Sequence, residues 1–300
     1  MDNKGRDIFH PPVLLKESID FLKASESGIF IDATLGGGGH TEAILEANSE
    51  NRVIAIDRDE EAIDRAIKRL ERFGDRFSVY HANFAQIGVV LDEEGIDFVD
   101  GILFDLGVSH FQLRGDRGFS FRKDDALDMR MDRSQKLTAA DVVNTLPERD
   151  LANIIYRYGE ERFSRKIARE IIKARKEKPI KTTFELAKIV EFSIPKKLWA
   201  GKKKHPATKT FQGIRIYVNK ELESVENAVP EAIDRLKPGG RVVVIAFHSL
   251  EDRIVKNILK EREDLEIITK KPVMPSEEEV KINPAARSAK LRAGEKKLLL

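Results

Sequence analysis

With 300 residues, 41% of them hydrophobic, the chain is long enough to bury one large core or two modest ones, and nothing in its composition points to disorder. It has no cysteine, which removes disulfide scaffolds, thiolate metal sites and covalent Cys catalysis, a common route to methylating a pyrimidine carbon. Charged residues make up 35% yet nearly cancel to +2, which fits surface ion pairing as well as polyanion binding, so partners must be read from where the charge lies.

At the N-terminus, MDNKGRDIFH lacks the basic-then-apolar order of a secretory signal, and no run of about twenty apolar residues follows anywhere. Neither export nor membrane spanning is indicated, and the cytoplasm is the expected location. Short apolar strands then alternate with helical patterns. Strands are expected at Gly28–Thr34, Arg52–Asp57, Arg76–His81 and Val99–Asp105, and Ala62, Ile63, Ala66, Ile67, Leu70 and Phe73 recur at helical spacing between the second and third. This is a doubly wound, Rossmann-like α/β beginning.

From about Leu113 to Thr210 the pattern is helical with no convincing strand, and Thr138 with Asp141 and Thr182 with Glu185 have capping-box form. Beyond it, apolar positions Ile214, Val218, Leu222, Val225, Val229 and Ile233 precede the turn Pro238-Gly239-Gly240 and a strand at Arg241–Phe247. The expected organisation is an α/β domain built from residues 1–112 and 211–300, interrupted by an all-helical insert at 113–210 that recognises substrate. The C-terminal KKLLL is either a last strand or a loose tail.

The first strand runs into Gly36-Gly37-Gly38-Gly39-His40, where glycines let the backbone turn sharply and approach a ligand closely. A dinucleotide fingerprint wants glycine at position 41, and this chain has Thr41, so a nicotinamide enzyme is disfavoured. A methyltransferase loop tolerates the change because S-adenosylmethionine has no pyrophosphate. Asp57, ending the second strand about twenty residues on, is placed to accept both ribose hydroxyls. Phe84 either flanks an adenine face or is an ordinary core side chain.

Asp105 ends the fourth strand and faces the crevice where open α/β sheets bind ligands. The exocyclic amine of a base is a poor nucleophile because its lone pair is conjugated into the ring. An acceptor for the amine's hydrogen bond localises that lone pair and takes the proton. Asp105 or Ser109 fits that role, although Asp105 is better suited to holding the methionine end of the cofactor. Most of the rate would come from alignment in a water-poor pocket, so no strong base is required. His248, after the fifth strand, either contacts base or RNA backbone, or is structural beside a helix capped by Ser249 with Asp252.

Within the insert, Lys196, Lys197, Lys202, Lys203 and Lys204 cluster around Trp199 without an acid, a mixture suited to phosphates and a stacked base. Arg162, Arg165, Arg169, Lys173 and Lys176 can share a helix face. No ligand cluster with recognisable metal spacing appears.

In order along the chain stand His10-Pro11-Pro12-Val13-Leu14-Leu15, GGGGH, DLGVS, Arg117–Phe121 (RGFSF), Leu127–Asp132 (LDMRMD), Tyr158–Glu161 (YGEE), His205–Thr208 (HPAT), Phe211-Gln212, Arg215-Ile216, Val218-Asn219, FHSLEDRIVK and Arg287–Arg292 (RSAKLR). Over nearly its whole length the chain resembles the bacterial 16S ribosomal RNA cytosine-N4-methyltransferases. The resemblance implies a methyltransferase domain with a helical insertion, and transfer from S-adenosylmethionine to the exocyclic N4 of one cytosine in the decoding region of 16S rRNA. The partner is then 16S rRNA or the small ribosomal subunit. Carried over by motif, the cofactor would contact Gly38, Gly39, His40, Asp57, Phe84, Asp105 and Gln112.

The chain departs from the family pattern at His110-Phe111, where Ser-Pro usually follows DLGVS, and at Asp125-Ala126, where Gly-Pro usually precedes LDMRMD. LDMRMD and HPATKTFQ, at the two ends of the insert, are expected to line the cleft between the lobes. The rival readings are a same-fold enzyme acting on another nucleic-acid amine, disfavoured because DLGVS lacks a proline-proline-aromatic signature, and a non-catalytic RNA-docking or assembly protein. The target base is expected to be unpaired or extruded.

Overall fold

The computed structural model describes residues 11–108, 112–113, 115–201 and 205–298. The chain divides into two compact units, Met1–Gly107 with Leu222–Leu300, and Val108–Glu221. The first contains strands β1 (Ile29–Asp32), β2 (Arg52–Asp57), β3 (Phe77–His81), β4 (Val99–Asp105), β5 (Leu236–Ala246), β6 (Leu265–Ile267) and β7 (Lys290–Lys296). They form one sheet in the order β3-β2-β1-β4-β5-β7-β6, parallel through β5, with β7 antiparallel to both β5 and β6.

Both faces of this sheet are buried, which is why its strands read as near-continuous apolar runs. Ile31, Ile54, Ile102, Phe104, Val242 and Val244 face one core, shared with the helices Ile87–Glu93, Glu221–Asp234 and Ser249–Glu261. Their neighbours Phe30, Val53, Ala55, Leu103, Val243 and Ile245 face the other, shared with Leu15–Leu22, Gly39–Ala47 and Glu60–Leu70. The chain order reverses about β1, which pairs with β2 on one side and β4 on the other. That reversal opens the crevice, beyond the strand C-termini, in which such sheets hold ligands.

One sequence expectation needs correction in this unit, and one left open is decided. Pro238-Gly239-Gly240 lies inside β5 as a bulge rather than before it: β4 pairs Val99 with Leu236 and then Gly101 with Arg241, and Gly239 takes φ +82°. The last strand is Lys290–Lys296, ending before the terminal leucines.

The second unit is helical: Ala139–Thr145, Glu148–Arg157, Ser164–Glu177, Thr183–Ser193 and Thr208–Asn219 pack around Leu151, Ile155, Ile167, Ile171, Leu186, Val190, Phe211 and Ile214. Both expected capping boxes form, Thr138 with Asp141 and Thr182 with Glu185. The unit extends to Glu221 rather than stopping at 210, because Ile214 and Val218 bury into its core. The break comes at Lys220, whose left-handed φ of 49° ends the helix there; its N–H bonds back to the carbonyls of Ile216 and Tyr217. Among the described residues no helix is long and apolar enough to cross a membrane.

Candidate active site

The site is built at the C-terminal ends of β1, β2 and β4. Asp32, buried at the end of β1, accepts from the Thr34 N–H at 3.2 Å and the Thr41 hydroxyl at 2.7 Å. Thr41, which spoils the dinucleotide fingerprint, thus ties the first helical turn to the strand end. Burial pushes the Asp32 carboxyl up to about 6 against these hydrogen bonds.

Between them the loop turns at Gly36 and Gly38, with φ of +50° and +74°. A Cβ on Gly38 would sit 3.1 Å from the Leu70 side chain, so the loop rests on the helix Glu60–Leu70. Asp57 closes it from β2: Oδ2 accepts from the Gly36 N–H at 2.7 Å and Oδ1 from the Asp59 N–H at 2.9 Å. Burial raises its pKa, and those two amides counter the rise.

His40 turns away from the loop. Its Nε2 lies 3.1 Å from the Val13 carbonyl, which makes Nε2 the protonated nitrogen and leaves Nδ1 with a lone pair. Burial pushes the imidazole down to about 4, so it stays neutral. Gly39 is pressed from the same side, since a Cβ there would come within 2.3 Å of Pro12. The segment Pro11–Leu14 therefore straps the loop, and it is held in turn by Glu279, accepting from the Leu14 N–H, and by Asn283, donating to the Pro11 carbonyl.

Asp105 is the exceptional group. Its N–H donates to the Thr34 hydroxyl at 2.6 Å, but its Oδ1 is buried without a hydrogen bond. Oδ2 lies 3.7 Å from the neutral His40 Nδ1. Burial, reinforced by the carboxylates of Asp32 and Glu251, holds the Asp105 carboxyl well above the usual range. A buried acceptor without a donor beside two other acids is a place for a cation that the described residues do not themselves supply.

Phe84 opens a short 3-10 turn capped by Asn83, with its ring edge-on to Phe104 at 5.7 Å and the Arg58 guanidinium 5.9 Å from its centroid. Phe84 is buried, with its ring packed in the sheet's core.

His248 itself caps the helix Ser249–Glu261, in place of the expected Ser249. Its Nδ1 accepts from the Glu251 N–H, while Glu251 Oε2 accepts from the N–H groups of Phe247 and His248. Nε2 then carries the proton; it makes no hydrogen bond, although Glu251 Oε1 stands off-line at 3.2 Å. Asp252, the other half of the expected cap, instead binds Lys290 and Arg292 of β7.

In the helical unit, Gln112 is buried, while Ser109, His110 and Phe111 lie outside the described residues, as do Lys202, Lys203 and Lys204. Met129 and Met131 are core side chains. Asn219 donates to the Met129 carbonyl at 2.7 Å and accepts from the Met131 N–H at 2.8 Å, fixing Met129 at φ 61°. His205 binds Glu191 at 2.7 Å and stacks on Phe121 at 4.5 Å. The Trp199 indole N–H donates to the Ile194 carbonyl, and the ring packs on the core rather than standing free for a base. Of the basic helix face, Arg169 faces Glu148 and Lys173 binds Glu170; Arg162 precedes the helix.

Asp32 and Thr34 were not singled out from sequence as site residues, and Pro11–Leu14 stood there only within a family motif, with no role given. The signal for Asp32 was present, an acid at a strand end directly before the glycines, whereas nothing local announces the strap.

The MraW methylase family matches residues 7–297. The chain is 51% identical to ribosomal RNA small subunit methyltransferase H of Carboxydothermus hydrogenoformans, over 96% of this chain and 97% of that one. It is equally identical to the protein of that name from a Sulfurihydrogenibium species, over 95% and 98%, and 50% identical to that of Persephonella marina, over 96% and 99%. The chain belongs to the MraW methylase family.

Proposed function

We propose that this chain transfers the methyl group of S-adenosylmethionine to the exocyclic N4 of a cytosine in the decoding region of 16S rRNA. The observation that carries the cofactor reading is the buried, unpartnered Asp105 Oδ1 at the end of β4, with β1 and its glycine loop between it and Asp57 at the end of β2. The residues fit S-adenosylmethionine. Asp105 meets the methionine ammonium, the loop at Gly38 and Gly39 gives close backbone approach, and Asp57 accepts from the ribose hydroxyls with lone pairs its two amide partners leave free. Gln112 is added to the set by the family motif alone.

The bound cofactor supplies an electrophilic methyl group on a sulfonium. What the chain supplies is position: the amine must be held in line with that methyl, away from water, with an oxygen accepting from the amine. Ser109 is the candidate for that oxygen once Asp105 is engaged by the ammonium. His248, with its proton on Nε2, donates to the acceptor nucleotide and does not take the amine proton. The helical unit recognises the RNA, and the protein works in the cytoplasm, where small subunits are assembled.

Labelled methyl transfer tests this against three acceptors: protein-free RNA, DNA of the same sequence, and small subunits lacking modifications. Label is expected in RNA or subunits and not in DNA. S-adenosylmethionine binding without transfer to any of the three would instead favour an RNA-docking protein.

A further inference from the structure

Phe192, at 85%, is the most exposed large apolar side chain among the described residues. It lies on the helix Thr183–Ser193, whose inward face, Leu186, Ala187 and Val190, already fills the helical unit's core. Phe184 is also exposed, at 39%, and Lys188 stands between them. Positions 184, 188 and 192 follow one another in four-residue steps, so the three side chains form one outward stripe. Directly beyond the helix, Lys196 and Lys197 are exposed in a 3-10 turn.

Three cations on and beside this stripe are unpaired. Lys188, Lys196 and Lys197 make no ion pair among the described residues. Of the nearby acids, Glu185 pairs with Lys178 at 2.8 Å, Glu191 is hydrogen-bonded to His205 at 2.7 Å, and Asp124 accepts from the Phe184 N–H, so each carboxylate is turned to a partner within the helical unit. What remains outward is two aromatic faces and three cations. Two phenylalanines on one helix are too narrow for a stable protein interface, which needs about 800 Å² on each partner. Aromatic faces among unpaired lysines are instead the chemistry of single-stranded nucleic acid, with bases on the rings and phosphates on the ammonium groups. The rings are about 12 Å apart along the helix, three to four steps of a strand stacked at about 3.4 Å.

We propose that the Phe184–Lys188–Phe192 stripe, continued by Lys196 and Lys197, binds a single-stranded RNA segment flanking the target cytosine. The proposal rests on the reading that the acceptor is RNA, and it assigns the stripe a positioning role rather than a chemical one.

The test uses the full chain, the double variant Phe184→Ala/Phe192→Ala and the triple variant Lys188→Ala/Lys196→Ala/Lys197→Ala. The probes are an unstructured oligoribonucleotide, its duplex form, and small subunits lacking modifications. Removing both rings is expected to weaken single-strand binding by about tenfold or more, with little effect on the duplex. It should leave the salt dependence unchanged, whereas the lysine variant should flatten it by about 0.7 per lost phosphate contact. KM for subunits rises in both while kcat and S-adenosylmethionine affinity hold, a split that a folding defect would not give.

Wild-type single-strand affinity and subunit KM in the double phenylalanine variant would overturn the proposal while leaving the enzyme's function intact. A change of oligomeric state in that variant, seen by sedimentation without loss of RNA binding, would assign the stripe to a second copy and overturn it also. A wild-type chain that neither binds RNA nor methylates subunits would overturn both this proposal and the rRNA reading beneath it.

Discussion

Oδ2 of Asp105 and Nδ1 of His40 lie 3.7 Å apart and do not form an ion pair, because burial keeps the imidazole neutral down to about pH 4. Burial, and then the charges of Asp32 and Glu251, hold the carboxyl above its ordinary range, with no cation beside it among the described residues. A folded-state pKa raised above the unfolded one means the folded chain binds the proton more tightly. Stability from this group is complete below the ordinary carboxylate range and is lost as pH rises through the folded pKa. Asp105→Asn removes that loss. The cofactor-free variant is expected to melt a few degrees higher than wild type at pH 8, with the gain shrinking toward pH 4, while its S-adenosylmethionine affinity falls at least tenfold. Thermal melts across pH, with and without cofactor, measure both. A variant that melts lower at pH 8 and still binds cofactor would remove Asp105 from the site.

Gly39 has room for no side chain, since its Cβ would enter Pro12. Gly39→Ala is expected to displace the strap at Pro11–Leu14, costing about 1–3 kcal/mol in urea unfolding and weakening cofactor binding together with it. Unchanged affinity in a destabilised variant would separate the strap from the cofactor.

His248 has a capping role and, in the proposed reaction, a second role toward the acceptor. His248→Ala should lose about 1 kcal/mol of stability, and His248→Asn, a good N-cap, should restore it. Methyl transfer is expected to stay low in both. If asparagine restores transfer as well, the cap is the residue's whole contribution.

Asn219 is the clasp of the LDMRMD segment. Asn219→Ala strands the Met131 N–H and the Met129 carbonyl in a buried setting, at a cost of about 2–4 kcal/mol. Urea denaturation should show the loss, with S-adenosylmethionine binding by the α/β unit less affected than RNA methylation.

The parallel strands and both capping boxes were legible because each is a local signal: an apolar run between turns, or a Thr with an acid three positions on. The strand-end positions of Asp57 and Asp105 were legible for a related reason, each standing at the end of such a run. The boundary of the helical unit was not, because Ile214 and Val218 keep helical register with Leu222 and Val225, and the break between them is a left-handed lysine rather than a glycine. Non-local contacts were equally hidden. Nothing near His40 in sequence says that the Val13 carbonyl will accept its hydrogen bond, or that Asp252 will turn to β7 and leave the cap to His248. Trp199 misled because aromatic-plus-lysine composition does not say which way a ring faces. Gln112 came only from family resemblance.

The most direct measurement is transfer of labelled methyl from S-adenosylmethionine to small ribosomal subunits lacking modifications, followed by nucleoside analysis of the 16S rRNA. N4-methylcytidine from the decoding region is the expected product; label on any other nucleoside, or none from a chain that binds the cofactor, would contradict the proposed function.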